Sequence, residues 1–61
     1  MEQEVWTDPY GAQRVSIEPL PADGLLDLIV DENGLSAAAR LGPTGVRAVR
    51  DALSDWLDGA E

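Results

Sequence analysis

Residues 25–41, "LLDLIVDENGLSAAARL", constrain the fold more than any other stretch, because they set Asn33-Gly34 between two runs able to extend. Asn-Gly is the preferred pair for a two-residue type I′ turn, in which both central residues take positive φ. Such a turn dictates which residues face one another, and a slip of one position would send every side chain to the opposite face. Counting outward, Glu32 faces Leu35, Val30 faces Ala37, Leu28 faces Ala39 and Leu26 faces Leu41. The last three pairs are apolar and share one face. The other face sets Asp27 against Arg40, a favourable cross-strand charge pair, and Asp31 against Ser36. Turn and pattern agree, so residues 25–32 and 35–41 are predicted as a hairpin. Ala37 and Ala39 leave a shallow trough on its apolar face, suited to a helix lying across it.

The helix follows at once. Gly42 is a suitable N-cap and Pro43 a suitable first helical residue, where a missing N–H costs nothing; Leu41 and Val46 are spaced as a hydrophobic staple. Gly59 suits the position just past the end, which predicts a helix over residues 43–58. Val46, Val49, Leu53, Trp56 and Leu57 fall within an arc of about 100°, the width of a core-facing stripe. Trp56 is accordingly expected in the core at the edge of the sheet. Arg47, Asp51, Ser54, Asp55 and Asp58 fall on the far side.

Upstream, "DPYG" at residues 8–11 carries the preferences of a type I turn in order. After it, residues 12–18 alternate as a strand, with Val15 and Ile17 on one face and Arg14, Ser16 and Glu18 on the other. Residues 1–7 form either a flexible arm or an edge strand. "PLPADG", residues 19–24, has two prolines and a glycine and is expected to be a loop. The expected architecture is a single α+β domain over residues 1–61, an antiparallel β-meander of three to four strands with one C-terminal helix packed on one face.

Size sets the energetic problem. A chain of 61 residues buries only about 60% of the surface it would expose unfolded. Small domains usually compensate with disulfides, a metal or self-association, and this one has no Cys and no His. Self-association, a protein partner or very regular packing remain. Twelve acids against four bases give a net charge of -8, which repels nucleic acid and anionic membrane alike. The partners expected are therefore a second copy, as a homodimer, and a protein with a basic surface, with no direct contact to nucleic acid or membrane. No charged and apolar leader and no long apolar run stand out, so a soluble, cytoplasmic protein is expected.

No catalytic constellation emerges. Ser16, Ser36, Ser54, Thr7, Thr44 and Tyr10 have no His, Lys or Cys to activate them. Asp55 and Asp58 could in principle do acid–base work, yet both belong to the solvent face of the helix. "DENG" is similar to part of a calcium loop, but with Gly34 sixth the first ligand position falls on Ile29 and the twelfth on Arg40. Transition metals lack His and Cys ligands, and phosphate-cradling glycines are absent. No enzyme, cofactor or metal site is expected.

What remains points to an interface. Trp and Tyr are favoured at interface hot spots, and Trp6 and Tyr10 lie where the core pattern is weakest. Ile29 and Ala38 sit on the outer face of the sheet. Asp51, Asp55 and Asp58 run along one helical face. Asp55, Asp58 and Glu61 also crowd the negative pole of the helix dipole, at a cost of about 0.3–1 kcal/mol per exposed charge.

Leu41, Pro43, Val46, Arg47, Leu53 and Leu57, in "LGPTGVRAVRDALSDWL" after the hairpin, carry a further likeness. The chain from Leu26 to Leu57 resembles small uncharacterised proteins of actinobacteria and their phages, in which a strand of a β-meander ends in a Leu-x-Pro turn that opens an Arg- and Ala-rich terminal helix. The resemblance implies an origin and a fold, and no activity or cofactor comes with it. The function expected is a small acidic non-enzymatic interaction module, self-associating and serving as a phage or host accessory regulator. The alternative is an acidic inhibitor that imitates nucleic acid in the basic groove of a DNA- or RNA-binding protein.

Overall fold

The computed structural model describes residues 1–60. Its elements are β1 (Gln3–Thr7), β2 (Gln13–Leu20), β3 (Leu25–Glu32), β4 (Leu35–Leu41) and α1 (Pro43–Ala60). The strands form one antiparallel sheet in the order β1-β2-β3-β4, so the α+β meander expected from the sequence is the fold.

The central hairpin has the predicted register, with Glu32 paired to Leu35, Asp27 to Arg40 and Leu26 to Leu41. Asn33 and Gly34 both take positive φ, 51° and 84°, as a primed turn requires. The first hairpin turns at Asp8–Gly11. There Gly11 N–H donates to the Asp8 carbonyl at 3.1 Å, Gln13 N–H donates to Asp8 Oδ1 at 2.9 Å, and Gly11 takes a φ of 73°. Residues 3–7 are thus an edge strand, irregular between Glu4 and Trp6. An irregularity of that kind twists an edge and discourages further pairing.

Two boundaries differ from expectation. Strand β2 runs on to Leu20, with Pro19 opposite Leu26 and Leu20 opposite Leu25, where the sequence predicts a loop from residue 19. A proline interrupts a strand only where a neighbour needs its N–H, and Pro19 lies past the Arg14–Ile17 stretch that β1 covers. The connection shrinks to residues 21–24, closed by Asp23 N–H donating to the Leu20 carbonyl at 3.0 Å. At the other end, Gly59 does not terminate α1, which continues through Ala60. A glycine stops a helix by adopting left-handed φ, and Gly59 is not among the residues with positive φ. Of the acids crowding the end of the helix, Glu61 lies outside the described residues.

The junction between sheet and helix is a single residue, Gly42, whose carbonyl accepts the first helical hydrogen bond from Val46 N–H at 3.0 Å. Gly45 in the first turn lies against Leu41, so close that a Cβ there would stand 3.2 Å from Leu41 Cδ2. The helix is anchored at this point and makes its main contact with β4. It stands over the apolar face without sealing it: among the described residues, no helical side chain is buried. The stripe expected to form a core is open, and Trp56, expected at the sheet edge, is 70% exposed. Among the described residues no apolar side chain at all is buried, and the one buried side chain is Ser16.

Candidate interaction surface

Antiparallel pairing carries apolar residues across the sheet in rows. Trp6, Val15, Val30 and Ala37 make one row; Ile17, Leu28 and Ala39 the next; Pro19, Leu26 and Leu41 the third. Partners directly opposite in a sheet share a face, so all three rows look the same way. Above the second and third rows stands α1. Ile17, Leu26, Leu28 and Leu41 from the sheet, with Val46, Val49, Leu53 and Leu57 from the helix, enclose an open cleft of about 400 Å³. Among the described residues its polar lining is Arg50 and Ser54, so Ser54, expected from the sequence on the far side of the helix, borders the cleft instead. Leu53 is 61% exposed and Leu57 52%. Exposed apolar surface continuous over two elements is the usual mark of an interaction site.

The opposite face of the sheet carries two ion-paired rows. Arg40 Nε and Nη2 donate to Asp27 Oδ1 and Oδ2 at 2.9 and 3.2 Å. Arg14 Nε donates to Asp31 Oδ2 at 3.3 Å, and Ser36 Oγ donates to Asp31 Oδ1. These hydrogen bonds hold both carboxyls below their ordinary values: Arg40 is the main cause at Asp27, Ser36 and then Arg14 at Asp31. Arg40 is raised in turn, chiefly by its hydrogen bond to Asp27. Carboxylates with lowered folded-state values contribute stability in full above the unfolded value, near pH 4, and lose it as the pH falls through the folded value. Acidification below about pH 4 is therefore expected to weaken the β3–β4 hairpin. Asp27→Asn should make the acid side of a urea-midpoint titration shallower; an unchanged slope would mean that the pair adds nothing.

Between the two ion-paired rows run Glu4, Ser16, Ile29 and Ala38. Ser16 is 1% exposed and its Oγ has no hydrogen-bond partner, an arrangement that costs about 1–3 kcal/mol.

The residues singled out from the sequence are dispersed. Ile29 is half-buried and Ala38 exposed, and both are flanked by ion pairs on the polar face. Tyr10 projects from the first hairpin at 93% exposure, while Trp6 extends the apolar face toward the β1 edge at 50%. Asp51, Asp55 and Asp58 are exposed on the helix, with Asp51 Oδ1 accepting from Arg50 Nε at 3.0 Å. None of these seven lines the cleft. The cleft residues were legible only as core positions, because an amphipathic stripe looks the same whether its own sheet or another chain covers it.

Among the described residues no group of three potential ligands is placed to hold a metal ion, and no helix is long and apolar enough to cross a membrane. No family model, curated protein or solved structure matches this chain.

Proposed function

We propose that this chain is a non-enzymatic protein-interaction module that self-associates through its apolar cleft. Its acidic outer surface is left for a partner with a basic face, as in a cytoplasmic accessory regulator of a phage or its host. The observation that supports this most is the lack of any buried apolar side chain among the described residues. Burial of apolar surface is the dominant favourable term in folding, and a sheet face and a helical stripe left open supply little of it. A second chain covering both restores that term. Among the described residues no acid lines the cleft, so none obstructs it.

Salt provides the test. Two copies carrying -8 each repel one another, while an apolar contact is itself insensitive to screening, so added salt should strengthen the dimer. Light-scattering chromatography at low and high salt is expected to show a dimer whose dissociation constant falls as salt rises. A monomer at both would overturn the proposal. Exposed Asp55 and Asp58, on the helix face away from the cleft, favour the second reading, imitation of nucleic acid. A basic partner bound that way would be lost steeply as salt rises, the opposite direction.

A further inference from the structure

We infer that the occupant of the cleft is helix α1 of a second copy, docked reciprocally about a two-fold axis so that each copy's stripe lies on the other's apolar sheet face. The inference rests on the self-association proposed above and adds its geometry.

Area supports it first. A folded monomer of 6.5 kDa is expected to expose about 3,800 Å² by the scaling of surface with mass. This chain exposes 4858 Å². The excess of about 1,000 Å² per chain makes about 2,000 Å² across a dimer, the lower end of the range for obligate homodimers.

Self-complementarity supports it next. One chain carries both an apolar trough, formed by Ile17, Leu26 and Leu28, and an apolar ridge, formed by Val49, Leu53 and Leu57. A two-fold contact is the arrangement in which patch i meets patch j and j meets i, so a single operation covers both surfaces on both copies. Asp51, Asp55 and Asp58 lie off the cleft, so a helix inserted there keeps these carboxylates out of the apolar space, and Arg50, which lines it, is already ion-paired with Asp51 at 3.0 Å; a buried unpaired charge would be costly.

The chain's own helix is poorly placed to fill the space. Only Gly42 separates β4 from α1, and the contact of Gly45 with Leu41 anchors the first turn at the sheet's margin. Leu53 and Leu57, two and three turns further on, remain more than half exposed.

The chain has no cysteine, so introduced thiols report unambiguously. Leu28→Cys and Leu53→Cys are made in separate chains, mixed and oxidised. A disulfide requires Cα atoms within about 7 Å, and the mixture is expected to yield the mixed dimer, one L28C chain linked to one L53C chain, in preference to either self-linked product. The same contact is read without substitution by isotope-filtered NOEs in a mixture of labelled and unlabelled native chains, between Leu53 or Leu57 methyls of one and Leu28 of the other. A dimer by mass with neither signal, but with self-linking of Ala38→Cys, would overturn helix docking in favour of β4 edge pairing while self-association stands. A native chain that is monomeric by mass would overturn both.

Discussion

Dilution is expected to unfold this protein. If the apolar cleft is filled by a second copy, folding and association are one equilibrium, and stability cannot be separated from chain concentration. Each tenfold rise in concentration adds about 1.4 kcal/mol to the dimer. For domains of this size a kilocalorie moves the melting midpoint by about 4–8 °C, with the smaller end apt for two chains melting together. The midpoint followed by circular dichroism should therefore climb by roughly 4–8 °C per decade of concentration. The physical cause is the open stripe: full burial of a leucine is worth about 1.5–3 kcal/mol, and Leu53 and Leu57, more than half exposed in the single chain, each have about half of that still to gain. A midpoint independent of concentration would show that one chain closes its own core.

Gly34→Val is expected to produce the second large effect. At a φ of 84° a side chain is forced against the backbone, at about 1–2 kcal/mol for an ordinary residue, and a β-branched one is a genuine outlier there. The loss does not end at the turn. The turn sets the pairing of β3 with β4, and with it the ion pair of Asp27 with Arg40 and the apolar row of Leu28 with Ala39; a slipped register would separate both. The urea midpoint should fall by an amount equivalent to about 2 kcal/mol or more, an appreciable part of the 5–15 kcal/mol typical of a whole domain. Gly34→Asn, which tolerates the left-handed region, should retain most of the stability. If the two substitutions behave alike, the conformation of this turn does not govern the fold.

Both effects concern features with different histories in the sequence. The turn, the register and the capped start of the helix were legible because each depends on residues adjacent or nearly adjacent in the chain. The strand through Pro19 was not, because the effect of that proline depends on how far β1 (Gln3–Thr7) extends along β2, a property of a separate strand further upstream. The end of the helix was not, because Gly59 permits a left-handed stop without requiring one. Trp56 belongs to an apolar stripe by helical periodicity, and periodicity reports which face is apolar without reporting what covers it.

The candidate surface was harder to see for the same reason. Trp6, Tyr10, Ile29, Ala38 and the helical acids stand out because they fail to fit a core. The cleft is made of residues that fit one well, such as Leu28, Val49 and Leu53. Only the separation of helix and sheet exposes them as a surface. The helix is tied to the sheet at its first turn, by the one-residue junction at Gly42 and the close approach of Gly45 to Leu41.

By itself the sequence determined the β3–β4 register, the polar and apolar faces of the sheet, the amphipathic helix and the α+β class, since these follow from turn chemistry and from periods of two and 3.6 residues. Only the tertiary structure decided that the two apolar faces stand apart as an open cleft. Burial is a relation between surfaces far apart in the chain, and no local pattern contains it.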